Sequence, residues 1–458
     1  MKPNLLITVL LLAGLLAGCD DAESAQRTAP AAGPTASPRA AGAMNAPAIS
    51  ADKPTGVDPV CLMTVATGPN DLHAEHGGHT YHFCSEHCRD AFVEDPSHYV
   101  AATTRPTTMP AAAADASRDA EHEKIPPYQP RFGRSRPVVA VLCANGGTVL
   151  SDFVVPYGVL ARSGVAEVAG VSTEPGEVLL RPLKGRVDMT TAEFDARYPE
   201  GADYVVVPAV ADPREPAVLA FITAQSEKGG TIVSICEGSV AVAHTGLLDG
   251  RRATSWFGSE AGRVALFPAV RWQRNIRYVA DGRFVSSSGF SASIPTSVAL
   301  VEAIAGREQA AEVAAELGVD DWSAQHDSDA FQMPDGEGFR LPAPSDDPLT
   351  LGVPVAPGVD EIALALMADA YSTDGRTQAL AVATSGADAD GVTTRSGLVI
   401  LPDRVAGGPD PVDRLLPPPP NTRPVSALDA ALADIAASDG RPAAEAAARM
   451  MEYPFDPE

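Results

Sequence analysis

The stretch VSICEGSVAVAHTGLLDG, residues 233–250, begins as an apolar strand and passes within a few residues into a run of small, helix-compatible residues. Cys236 stands at the corner, followed by Glu237 and Gly238. A continuous apolar run that gives way to a helical stretch marks a buried parallel strand entering a crossover helix. Its thiol has two readings: a nucleophile on a tight strand-to-helix turn, or a cysteine that closes a core strand. Further out, PVVAVLCA (137–144), VAEVAGVST (165–173) and ADYVVVPAV (202–210) read as strands, and LSDFVVPYGVLARSG (150–164) reads as a helix. Strands alternating with helices predict a doubly wound α/β domain with a flavodoxin-like parallel sheet. Ligands of such sheets sit beyond the carboxyl ends of the strands, where Cys143, Asp152 and Cys236 fall.

The chain has 458 residues, enough for two or three domains, and a formal net charge of −25. That charge argues against nucleic acid as a partner and against attraction to anionic lipid. The first residues give an address. Lys2 precedes the apolar run LLITVLLLAGLLAG (5–18), which is short for a bilayer span and ends at Cys19. LAGC (16–19) resembles a bacterial lipobox, which implies a signal peptide over 1–19 and acylation of Cys19. Several acyl chains anchor stably where one is marginal. The expected location is the periplasmic side of a bacterial cell envelope, with Asp20 and Asp21 favouring the inner membrane. Residues 20–54 are rich in Ala, Pro, Ser and Thr without apolar period, a flexible tether by composition, and 102–135 reads as a second linker.

Between these stretches, GVDPVCLMTVATGPNDLHAEHGGHTYHFCSEHCRDAFVEDPSHYV (56–100) holds three of the six cysteines and six of the nine histidines. Cys84 and Cys88 are one helical turn apart, so both thiols lie on one face. Soft thiolates beside imidazoles suit zinc or copper(I), whereas an oxidising compartment also offers a disulfide. An odd number of thiols in so small a unit favours a metal. The pattern DPVC, then Y-x-FCSEHC and DP, resembles a YHS domain, a small metal-associated module. The resemblance covers 55–101 and implies that Cys61, Cys84 and Cys88 ligate. It leaves the fourth ligand open among His79, His82 and His87, with His73 and His76 as alternatives on a mobile loop.

SICEGSVAVAHTGLLDGRRATSW (234–256) and DGRFVSSSGFSASIPTSVALVEAIAG (281–306) resemble the ThiJ/PfpI superfamily, with its glutaminase-like fold. The nearest branch is shared by AraC-type regulators and isonitrile hydratases, and the likeness spans 136–319. It implies Cys236 as elbow cysteine and Asp152 as the acid facing it. It also implies a Glu237 amide aimed at an anion, and Gly238 as the residue that lets helix and strand meet. A thiol on this turn is expected to have a depressed pKa. Glu237 stands where the protease-like branch carries histidine, so a Cys–His dyad of that kind is absent. Ser255 also replaces a frequent histidine, and Ala209 and Val210 replace a Gly-Gly pair that supplies an oxyanion donor. The expected chemistry is hydration or lysis of a small electrophile, isonitrile-hydratase-like, with no cofactor in the α/β domain. The alternative is a non-catalytic ligand-, metal- or redox-sensing protein.

LGVPVAPGVDEIALALMADAYSTDGRTQALAVATSGADADGVTTRSGLVILPD (351–403) repeats the opening of the preceding domain, and ALADIAASDGRPAAEAAARMMEYP (431–454) echoes 300–319. Residues 320–458 thus read as a degenerate partial second copy, in which Ala363 falls opposite Asp152. An intramolecular pseudo-dimer or a homodimer is the expected assembly.

Overall fold

The computed structural model describes residues 55–67, 72–103, 113–332, 348–373 and 376–455. The signal segment with Cys19 and the tether 20–54 lie outside the described residues. Among those described, no helix is long and apolar enough to cross a membrane.

The apolar runs form the middle of a seven-stranded sheet. Its order is Met189–Thr190, Glu167–Ser172, Val138–Cys143, Tyr204–Val207, Thr231–Ser234, Phe284–Ser287 and Tyr278–Asp281. Every neighbouring pair is parallel except the last, which is antiparallel. Val138–Cys143 and Tyr204–Val207 are buried at every position because both faces of the sheet are covered. Side chains alternate between the two faces. Val139, Val141 and Cys143 join the core under helices Leu150–Ser163 and Ser293–Ala305, while Val138, Ala140 and Leu142 join that under Pro216–Glu227. The first helix stops at Gly164, whose φ of 68° ends it in the left-handed region.

A second, four-stranded parallel sheet has the order Arg404–Val405, Thr377–Ala383, Leu349–Val355 and Arg414–Leu415. Helix Glu361–Ser372 joins its two long strands, and helices Ser426–Ser438 and Arg441–Met450 come after it. Helix Glu361–Ser372 packs on Leu150–Ser163, where Gly158 leaves room: a Cβ there would lie 2.7 Å from Glu361 Oε1. The nearly buried Arg162 bridges to Asp360 at 3.0 Å and Glu361 at 2.7 Å, and the Ser151 N–H donates to Asp369 at 2.9 Å. The hairpin Val392–Thr393/Val399–Leu401 adds to Leu183–Arg186 through the pairs Lys184↔Leu401 and Arg186↔Val399. One sheet thereby runs across both halves.

Glu452, near the C-terminus, is fully buried against the first α/β domain. Its carboxylate accepts from the Phe257 N–H at 2.9 Å, the Gly289 N–H at 3.2 Å and His326 Nε2 at 2.8 Å. Burial alone would raise this carboxyl, but these partners hold it below its usual value.

The segment expected to be a free linker is docked from Ala113 onward. Ala114–Asp115 adds as a strand to Arg271–Arg274, Glu123 pairs with Arg252 at 2.8 Å, and Arg134 pairs with Asp203 at 2.7 Å. Ala116, Ala120 and Ile125 are buried. Alanine spaced among charged residues has the composition of a tether. Here the small side chains pack and the charges find fixed partners.

The His-rich stretch also differs from expectation. It is a hairpin, His73–His76 paired with His79–His82, rather than a loop. Gly77 and Gly78, with φ of 59° and 80°, make the two-residue turn that needs two left-handed residues. Helix Glu86–Glu94 comes next, capped by the Ser85 hydroxyl, and Phe92 is fully buried among Phe83, Tyr81 and Tyr99.

Candidate functional site

Two sites meet. In the small module, the Sγ atoms of Cys61 and Cys84 are 3.4 Å apart and those of Cys84 and Cys88 are 3.6 Å apart. These distances exceed an S–S bond of about 2.05 Å and approach the roughly 3.8 Å between thiolates around one tetrahedral zinc. All three cysteines are free thiols. Ligand atoms of Asp58, Cys61, Cys84 and Cys88 all lie within 4.8 Å of one another. Three sulfurs and a carboxylate around one point fit a soft or borderline cation, zinc or copper(I).

Asp58 is the member that sequence reasoning missed. It is wholly buried, its Oδ1 accepts the Val60 N–H at 2.8 Å, and its Oδ2 accepts the Cys84 N–H at 2.8 Å. It therefore ties the first knuckle to the second. Its signal was present as an Asp-Pro pair, the start of an Asx turn over DPV. Burial and the neighbouring Cys88 thiol raise its carboxyl to about 7. The thiols raise one another as well: Cys61 is pushed up by its hydrogen bonds to Cys84 and Cys88, then by burial.

His79, expected as fourth ligand, stands outside this cluster. It is exposed, next to the hairpin turn and opposite His76. Two-residue alternation along the hairpin carries it away from the thiols. The His87 side chain lies outside the described residues.

In the α/β domain, Cys236 adopts φ of +55°, a left-handed conformation that non-glycine residues avoid and functional turns tolerate. A Cβ on Gly238 would lie 1.9 Å from the Val207 carbonyl oxygen, so only glycine lets helix Gly238–His244 leave the strand this closely. The Cys236 N–H donates to Ser287 Oγ at 3.3 Å, and its carbonyl accepts from Ser255 at 3.0 Å and Ser239 at 3.1 Å. Ser255 thus braces the elbow's backbone. Asp152 is wholly buried near Cys236. Its Oδ2 accepts the Ala209 N–H at 3.2 Å, while Oδ1 has no partner. The Ala209 amide is thereby committed to Asp152.

The thiol's electrostatics overturn the expected depressed pKa. Burial first, and the Asp152 and Glu237 carboxylates second, push Cys236 well above its usual range, outweighing the Glu237 N–H that favours the thiolate. The helix after it is seven residues long, too short to compensate. Asp152 is raised by burial, and Glu237 is raised by burial to about 7. Both shifts favour the protonated forms of thiol and acid. Cys143 ends its strand fully buried, 3.5 Å from the Val171 carbonyl, and its thiol is raised by burial.

Iodoacetamide labelling is therefore expected to leave Cys236 nearly unmodified at pH 7, with the rate climbing only above the ordinary thiol range. Asp152→Asn removes a negative charge from beside the thiolate, so the profile shifts to lower pH. Peptide mass spectrometry across pH reads both. Labelling at pH 7 as fast as a free thiol contradicts a buried thiol raised by its surroundings.

The module is not loosely tethered but docked over this elbow. Gly262 lies under Leu62, whose carbonyl oxygen would be 2.3 Å from a Cβ there. The nearly buried Arg214 donates to the Pro59 carbonyl at 3.1 Å and to the His98 carbonyl, with its guanidinium 4.9 Å from the Tyr99 ring. The Cys88 thiol is close enough to raise Glu237.

The YHS domain family model matches residues 57–103, and the DJ-1/PfpI family model matches 138–303. A copper-transporting P-type ATPase of Rhizobium leguminosarum bv. viciae is 49% identical over 45 residues, 10% of this chain. The match spans only 5% of that relative's length. Among solved structures, Drosophila melanogaster DJ-1beta is 24% identical, covering 41% of this chain and 100% of its own, with a TM-score of 0.37. An AraC family transcriptional regulator from Pseudomonas putida is 16% identical, covering 39% and 97%, with a TM-score of 0.34. The chain joins a metal-binding YHS domain at 57–103 to a DJ-1/PfpI domain at 138–303.

Proposed function

We propose that this protein is a lipid-anchored envelope protein that holds one zinc or copper(I) ion in its YHS domain, against the Cys/Asp elbow of its DJ-1/PfpI domain. The convergence of Asp58, Cys61, Cys84 and Cys88 within 4.8 Å carries the reading. Bound there, a soft cation is held by three thiolates, with Asp58 fixing both knuckles through backbone N–H groups. The copper-transporting relative supports copper as one cargo of this module, and the lipobox at Leu16–Cys19 supports the anchor. Residues 320–458 are proposed as a truncated copy of the first α/β domain. Their strand order, read through Thr377–Ala383 and Leu349–Val355, follows that of Met189–Thr190 through Tyr204–Val207. The copy serves as a built-in dimer partner.

The elbow has a second, catalytic reading, favoured by the left-handed Cys236 and the buried Asp152 whose charge acts on its thiol. A thiol adding to the electrophilic carbon of a small isonitrile or carbonyl forms an S–C bond. Asp152 then gives its proton to the substrate atom that gains the electron pair, and receives the thiol proton in exchange. Water releases the product and restores the thiol.

Expression in bacteria with labelled palmitate, followed by metal analysis of the purified protein, tests the main reading. The expected result is label on Cys19 and about one zinc or copper per chain. A chain without metal after loading with either ion refutes it.

A further inference from the structure

The thiolate cluster leaves the hairpin histidines without a role. Four of the nine histidines sit on this one hairpin, as two cross-strand pairs, His73↔His82 and His76↔His79. The pairs face opposite ways, because His73 and His76 are an odd number of residues apart and side chains alternate along a strand. Ala74 and Tyr81 pack toward the module's core, and His76 lies edge-on to Phe92 on that same side, so His73 and His82 point outward. Their pair closes the open end of the hairpin, away from the glycine turn. Just beyond it the Phe83 N–H donates to the Leu72 carbonyl at 2.9 Å. Bonded and non-bonded pairs alternate along an antiparallel ladder, so His73↔His82 is a non-bonded pair, the kind whose side chains stand closest. The two ring centroids are 6.1 Å apart, with 44° between the planes. One tetrahedral ion with metal–nitrogen bonds of about 2 Å holds two imidazole centroids roughly 5 Å apart. Rotation of the exposed His73 side chain spans the difference. On the same face Glu75 accepts from the Thr80 hydroxyl and adds a negative charge.

We propose that His73 and His82 form a second metal site, a clasp across the hairpin that takes an exchangeable divalent ion: nickel(II), copper(II) or zinc(II). Neutral imidazoles suit these ions, whereas copper(I) prefers thiolates. Two protein donors leave the remaining coordination positions to water. The clasp therefore binds more weakly than the cluster of Asp58, Cys61, Cys84 and Cys88, loses its ion on purification and refills when the ion is supplied. It uses none of that cluster's donors and goes beyond the metal-binding reading. An ion held by both strand ends also stabilises the module in proportion to its occupancy, since the unfolded chain does not hold the two rings together.

The test uses the whole processed protein, first supplied with zinc to fill the thiolate cluster and then freed of excess. Nickel(II) is titrated in by calorimetry, chosen because it does not oxidise thiols as copper(II) does. The expected result is saturable binding of about one nickel per chain, with paramagnetic broadening of the His73 and His82 ring signals in NMR. His73→Ala and His82→Ala should each weaken that binding by at least about tenfold, the smallest effect expected even of an outer-shell partner. A variant carrying both His76→Ala and His79→Ala should bind nickel as the parent does. Circular dichroism and retained zinc confirm that the variants fold. No saturable nickel in the parent overturns the proposal, as does parent-like affinity in either His73→Ala or His82→Ala, or a loss confined to the His76/His79 variant. A parent that binds nickel at the two rings but retains no zinc supports the clasp and refutes the metal-binding reading of the thiolate cluster instead.

Discussion

Replacing Cys84 and Cys88 together by serine is expected to take the protein from about one bound metal per chain to essentially none. The two sulfurs are 3.6 Å apart and provide two of the four clustered donors. A serine hydroxyl does not ionise at neutral pH, so the variant keeps one thiolate and one carboxylate, too few and too hard for zinc or copper(I). Metal at structural thiolate sites contributes on the order of 10 kcal/mol, and losing half the donors removes most of it. The fold of the module should loosen as well, since its aromatic core around Phe92 is small and bound metal would reinforce it. Metal content by elemental mass spectrometry, with thermal unfolding with and without chelator, reads both effects. Under the same conditions His79→Ala should keep its metal. The reverse pattern would move the site to the hairpin histidines.

Gly238→Ala should be among the most destabilising single substitutions in the α/β domain. The added methyl would lie 1.9 Å from the Val207 carbonyl oxygen and 2.9 Å from that of Pro208. Both are backbone atoms of the neighbouring strand and its exit, paired to the elbow strand through Val207↔Ser234, so no side-chain rotation relieves the clash. Helix Gly238–His244 would have to lift from the sheet, opening the packing of Val240, Ala241 and Val242, all nearly fully buried. Such overpacking costs about 3 kcal/mol or more. Urea unfolding should show a clearly lowered midpoint, and Cys236 should alkylate faster at neutral pH as its cover loosens. An unchanged midpoint would mean that the elbow is not held this tightly.

The sequence by itself determined the elements whose residues carry their own pattern. Apolar runs such as VVAVLC and YVVV, short and bounded by turn residues, read as strands buried on both faces. The spacing of Cys84 and Cys88 put both thiols on one helical face. CEGS, where a glycine alone fits, announced the turn at Cys236. Tertiary structure decided whatever depends on partners distant in the chain. Asp58 entered the metal cluster because its second oxygen accepts the N–H of Cys84, 26 residues away, while His79 left it because the hairpin points elsewhere. The thiol of Cys236 was raised rather than lowered because burial and the carboxyls of Asp152 and Glu237 outweigh one short helix. The segment from Ala113 became part of the α/β domain because Glu123 and Arg134 found ion-pair partners 129 and 69 residues ahead. Local pattern sets local conformation, but desolvation and charge are summed over everything a group touches, and only the folded chain contains that sum.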